Sequence, residues 1–123
     1  MTEERRYTLA EANGELERLR ELLPRLREAR RALIEASRRI TDAVAADGGG
    51  VAGSDWFRAQ QILKEEVEEL ARRDIILRDP EAGLVDFPSE REGRPVLLCW
   101  RLGEQEVGWY HDEVSGFRGR KRL

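Results

Sequence analysis

A chain of 123 residues with 40% hydrophobic and 38% charged residues can bury one modest core, so we expect a single domain over residues 1–123. It has no apolar run long enough to span a bilayer and no apolar stretch of the kind a secretory signal needs, so we expect a cytoplasmic protein without membrane association. A net charge of −3 argues against general nucleic-acid binding, because surfaces that follow phosphates normally carry a basic excess.

A long first helix is predicted from Leu9, because Thr8 followed three residues later by Glu11 is a capping box. Seam positions then recur at alternating spacings of three and four, a period of 3.5 residues that favours packing against another helix. Pro24 conflicts with a straight helix and predicts a kink or a break in the turn before it. The eleven seam positions, nine of them apolar, are Leu9, Ala12, Leu16, Leu19, Leu23, Leu26, Arg30, Leu33, Ser37, Ile40 and Val44.

A glycine-rich loop at residues 47–54 separates this helix from a second one, predicted from Asp55 to about Arg73 with Ser54 as its N-cap. Together they predict a long antiparallel helical hairpin, coiled-coil-like, over residues 8–73. The second helix is about half as long as the first. The other half of the seam, Leu9 to Leu26, must therefore be covered by the small β-sheet expected after residue 74 or by a second copy.

Residues 74–123 predict a small β-rich end with a basic tail. Short apolar runs alternate there with turn residues, and three or four short antiparallel strands are expected. The predicted fold class is therefore α+β, a long helical hairpin followed by a small antiparallel sheet.

Several stretches resemble a known family. They are residues 83–88 (GLVDFP), 98–104 (LCWRLGE), 108–111 (GWYH) and 116–120 (GFRGR), and the opening residues 7–13 (YTLAEAN) are similar as well. The chain resembles, over nearly its whole length, an uncharacterised bacterial family catalogued as domain of unknown function number 2203. The resemblance implies no activity.

Glu66 is the first candidate site residue, because an acid on the apolar stripe of the second helix must be paired, neutralised or bound to a metal. One interpretation is a structural pair with Arg30, a polar seam residue of the first helix, that fixes the register of the hairpin. The other interpretation is a functional role for Glu66.

His111 is the only histidine, and several acids lie near it in the sequence. The metal hypothesis brings Glu66, Glu104 and His111 together around Mn²⁺, Fe²⁺ or Mg²⁺, since carboxylates with one imidazole suit those ions. A structural role for His111 and a role as general base are the alternatives. Cys99 lies in an apolar run, where a thiol is usually a small buried hydrophobe, and no local motif supports nucleophilic chemistry with His111.

Three functional hypotheses follow. The first is a non-catalytic interaction or assembly module that forms a homodimer, or receives a helical protein partner, through its hairpin. The second is a small divalent-metal-binding domain or enzyme. The third is contact with RNA or phosphate through the basic tail, whose residues are Arg118, Arg120, Lys121 and Arg122.

Overall fold

The computed structural model describes residues 5–47 and 53–123 and has an α+β architecture. Three helices precede a five-stranded antiparallel sheet whose strands follow one another in sequence order. None of the helices in these two ranges is long and apolar enough to cross a bilayer. The elements are α1 (Leu9–Gly14), α2 (Leu16–Asp47), α3 (Gly53–Arg72), β1 (Ile76–Asp79), β2 (Leu84–Arg91), β3 (Arg94–Arg101), β4 (Trp109–His111), a 3₁₀ turn (Phe117–Gly119) and β5 (Lys121–Arg122).

The helix start predicted at Leu9 is confirmed. The Thr8 hydroxyl accepts a hydrogen bond from the Glu11 amide at 3.1 Å, and the Glu11 carboxylate accepts one from the Thr8 amide at 2.8 Å. The interruption, however, falls at Glu15, and α2 continues through Pro24. Burial of the leucines around Pro24 offsets the roughly 3 kcal/mol that a proline costs inside a helix.

The helices α2 and α3 pack along each other in opposite directions. Arg18, near the start of α2, pairs with Glu69, near the end of α3, at 2.9 Å. Further along α2, Arg39 pairs with Asp55 in the first turn of α3 at 3.3 Å. Residues 48–52 of the predicted loop lie outside the described residues, and α3 begins at Gly53, so that the predicted N-cap Ser54 lies inside the helix.

The sheet has five strands, one more than the upper expectation. Its centre is a hairpin of two eight-residue strands, β2 and β3, joined by the turn Glu92-Gly93. Both turn residues have positive φ, 53° and 77°, as the tight hairpin turn that matches strand twist requires. The extra strand is β5 within the predicted basic tail, where Arg122 is the register partner of Trp109.

The sheet covers the first half of α2. Leu19, Leu23 and Leu26 of α2 are buried in one core with Phe87 and Trp100 of the sheet. The seam up to Leu26 was expected to be covered by the sheet or by a second copy, and in the structure the sheet covers its buried positions. The other buried members of this core are Tyr7, Ala12, Leu16, Leu22, Leu70, Ile75, Val85, Leu98 and Val107.

Candidate metal centre

The sheet face that points away from α2 carries a buried polar cluster. Side chains alternate between faces along a strand, so Val85 and Phe87 of β2 enter the core while Asp86 between them points to the opposite face. Cys99 on β3 is the register partner of Asp86 and shares that face. His111 is the last residue of β4, the next strand in the sheet. Three neighbouring strands thus contribute one side chain each.

Burial and distance make this cluster unusual. Asp86, Cys99 and His111 are 1%, 0% and 3% exposed. One potential ligand atom from each, a carboxylate oxygen, the sulfur and a ring nitrogen, all lie within 4.8 Å of one another. Within the described ranges, no other group of three histidine, cysteine or acidic side chains is as close together.

The hydrogen bonds of His111 fix its orientation. Its Nε2 lies 3.0 Å from Oδ2 of Asp86, and its Nδ1 lies 2.6 Å from the backbone oxygen of Asp112. Both partners can accept a hydrogen bond from a ring nitrogen. His111 and Asp86 therefore share a buried hydrogen bond, and the backbone oxygen of Asp112 fixes the other side of the ring.

The carboxylate of Asp86 is only half satisfied. Its Oδ2 accepts hydrogen bonds from His111 and from Nε of Arg78 at 2.7 Å. Its Oδ1 is buried and has no hydrogen-bond partner among the described residues. A buried carboxylate oxygen without a partner carries the desolvation cost without compensation, so this atom is available to a cation or a donor.

The thiol of Cys99 is free and protonated. Burial, and next the negative charge of Asp86, raises its pKa to about 11, while a hydrogen bond with Arg120 opposes this shift. Such a thiol is a poor nucleophile at neutral pH. The structure therefore argues against Cys99 as an activated nucleophile.

Arg120 is held rigidly beside Cys99. Its guanidinium lies 4.4 Å from the ring centre of Trp109 and 4.3 Å from that of Phe117, and it pairs with Glu104 at 3.3 Å. These contacts place a fixed positive charge where a thiolate at Cys99 would need one.

A pocket of about 280 Å³ opens onto the cluster. Asp86, Cys99 and His111 all line it, and Arg78 lies on its wall. The loop that follows β4 forms the mouth, where Val114 is exposed. The pocket therefore lies against the cluster, although the three side chains are themselves almost inaccessible to solvent.

The residues predicted from sequence to bind a metal together are separated. Glu66 pairs with Arg25 at 3.3 Å on the helices, and Glu104 pairs with Arg120. Of the three, His111 alone belongs to the buried cluster. The predicted pair of Arg30 with Glu66 is replaced as well, because Arg30 contacts Glu81 in the β1–β2 turn at 3.4 Å.

The predicted phosphate-binding tail is partly used by the fold. Arg120 is committed to Trp109 and Glu104, and Arg122 lies over Trp109 at 5.4 Å. Arg118 and Lys121 are exposed.

Sequence reasoning missed Asp86 entirely and treated Cys99 as a small hydrophobe. One signal was present: Asp86 is an acid between two apolar residues of a predicted strand, where a charge needs a partner. The identity of that partner depends on the register of β2 with β3, which the sequence pattern does not specify.

The fold and the cluster define a small α+β protein with a potential metal centre on the outer face of its sheet. The chain belongs to the family described as an uncharacterized conserved protein, DUF2203, whose model matches residues 5–123. No curated protein and no solved structure matches it significantly.

Proposed function

We propose that the chain binds a divalent transition-metal ion, preferentially Zn²⁺, through Asp86, Cys99 and His111. The observation that carries this proposal is the unpartnered buried oxygen of Asp86 beside a buried thiol and an oriented imidazole. Three protein ligands leave a fourth position, which would face the pocket, as in zinc sites that bind water or a substrate.

The dimensions of the cluster support this. Bonds of about 2.0–2.3 Å to a tetrahedral ion place ligand atoms roughly 3.3–3.8 Å apart. The present upper separation of 4.8 Å means that the side chains would have to move together by about 1–1.5 Å to hold an ion.

The surrounding hydrogen bonds also match the needs of an ion. His111 keeps its Nδ1 proton on the carbonyl of Asp112 and gives up its Nε2 proton, which is the usual arrangement of a metal-bound histidine. Arg78 orients Asp86, and Arg120 stands beside the Cys99 sulfur. Binding then displaces about two protons per ion, one from Nε2 and one from the thiol.

The presence of a thiol changes the preferred metal. The set predicted from sequence, two carboxylates and an imidazole, suits Mn²⁺, Fe²⁺ or Mg²⁺. A set of one thiolate, one imidazole and one carboxylate is softer and suits Zn²⁺.

The test is metal binding by untagged protein purified without chelator. We expect about one Zn²⁺ per chain by elemental analysis, and an intense sulfur-to-cobalt charge-transfer band when Co²⁺ replaces it. Asp86→Asn and His111→Asn should weaken binding at least tenfold, and Cys99→Ser should abolish the charge-transfer band.

Glu66→Gln is the matched control, because it removes a carboxylate from the ligand set predicted by sequence and leaves the cluster untouched. It should bind as the wild type does. Circular dichroism checks that each variant is folded. Wild-type protein that takes up neither ion, or binding that survives Cys99→Ser and is lost in Glu66→Gln, would contradict the assignment.

A further inference from the structure

One face of α2 carries a regular pattern of charges. Positions at alternating spacings of three and four lie on one side of a helix, and this stripe is separate from the apolar seam. Every residue of the stripe is exposed. In order, the stripe is Glu21, Arg25, Glu28, Ala32, Glu35 and Arg39.

The stripe borders a long groove between α2 and α3. The groove has a volume of about 930 Å³, and α2 and α3 alone line it. Its apolar lining consists of Pro24, Ile62 and three small residues, Ala29, Ala32 and Ala59. Small residues let another helix approach closely, and a helix pair that meets a second pair in this way forms a four-helix bundle.

The order of charges along the stripe favours a second copy of the chain in the groove, and it favours one direction of that copy over the other. Its signs run negative, positive, negative, neutral, negative, positive. If the stripe of a second copy lies parallel and in register, like charges face each other. The same is true of an antiparallel copy in which Ala32 faces the partner's Ala32. An antiparallel copy shifted by half a heptad sets Glu21 against the partner's Arg39 and Arg25 against the partner's Glu35. The two-fold axis repeats both pairs, so four attractive contacts form.

We propose that the chain forms a two-fold symmetric, antiparallel homodimer in which the α2 stripe of each copy lies along the other's α2–α3 groove. The axis passes between Glu28 and Ala32, so that Glu28 faces the partner's Ala32. The apolar lining contributes the affinity, and the charges fix direction and register. Arg25 and Arg39 also pair within the chain, with Glu66 and Asp55, and their exposed guanidinium groups have further donors for a partner.

The test is a charge swap read by sedimentation equilibrium at micromolar concentration. Glu35→Arg places an arginine opposite the partner's Arg25, and the two-fold axis repeats this repulsive contact. The substitution should therefore raise the dimer dissociation constant about tenfold or more. Adding Arg25→Glu, in a Glu66→Gln background so that residue 25 does not face a carboxylate of its own chain, exchanges the two signs and should restore dimerisation.

Glu68→Arg is the matched control, with the same change of charge at an exposed position of α3 outside the groove. It should leave the dimer intact, and so should a chelator, because none of the groove residues belongs to the metal cluster. The proposal is overturned if the wild type is a monomer, if Glu35→Arg dimerises like the wild type, or if the variant with both signs exchanged fails to recover while circular dichroism shows it folded.

Discussion

The two halves of α2 carry the same apolar period and have different surroundings. In the first half, Leu16, Leu19, Leu23 and Leu26 are all nearly inaccessible under the sheet. In the second half α2 packs against α3, where the seam position Leu33 is half-buried and the seam position Ser37 is exposed. A helical period therefore indicates which face of a helix is covered, but not whether a helix, a sheet or a second copy covers it.

This difference changes the case for self-association. An uncovered seam between Leu9 and Leu26 would favour a second copy, but the sheet covers the buried positions of this seam. The groove and the charge stripe lie on α2 and α3, along α2 from Glu21 to Arg39, and none of the groove residues belongs to the core beneath the sheet. A dimer, if formed there, leaves the sheet and its metal cluster free.

The largest effect should come from paired leucine truncations in the two halves. Leu23→Ala leaves a cavity in the core beneath the sheet and should lower the free energy of unfolding by about 2–5 kcal/mol. Leu33→Ala, at a half-buried position, should lower it by about 1 kcal/mol because less surface is lost and solvent can reach the site. Urea denaturation measures both. Equal losses of stability would show that the second half of α2 is packed as tightly as the first half.

The same comparison shows how far the sequence can predict the fold. The start of α1 is predictable because the capping box of Thr8 and Glu11 is local. The continuation of α2 through Pro24 is not, because it depends on the tertiary packing of the leucines around Pro24. The strand β5 has only the two charged residues Lys121 and Arg122 and hence no apolar alternation to reveal it.

The candidate site was predictable only in part. His111 was recognisable as the one histidine, but its partners come from strands whose register is set by long-range pairing. A shift of one residue between β2 and β3 would place Asp86 and Cys99 on opposite faces. The metal cluster is therefore a property of the sheet rather than of a local motif.

A second, smaller effect should come from the N-terminal cap of α1, which precedes the half of α2 that the sheet covers. Thr8→Ala removes the hydroxyl that accepts the Glu11 amide and should cost about 1 kcal/mol. Thr8→Ser keeps the acceptor and serves as the control, with little loss. If both variants lose the same stability, the methyl group of Thr8 and not its hydroxyl is responsible. Thermal unfolding followed by circular dichroism distinguishes these results.

The smallest effect should be a pH-dependent one at the ion pairs that join α2 and α3. Hydrogen bonds from Arg72 and then Arg73, with the charge of Arg18, lower the pKa of Glu69 from about 4.5 to about 2. A lowered pKa in the folded state means that unfolding takes up protons as the pH falls. The stabilisation from Glu69 is therefore complete above about pH 4.5 and disappears as the pH approaches about 2.

Comparison of the wild type with Glu69→Gln across this range isolates that contribution. Their stabilities should differ most above about pH 4.5 and converge towards pH 2, as measured by urea denaturation at each pH. The control beside the second half of α2 is Asp55→Asn, whose side chain is 68% exposed in its pair with Arg39 and should contribute less than about 1 kcal/mol. A difference between wild type and Glu69→Gln that stays constant with pH would mean that Glu69 contributes through packing and not through its charge.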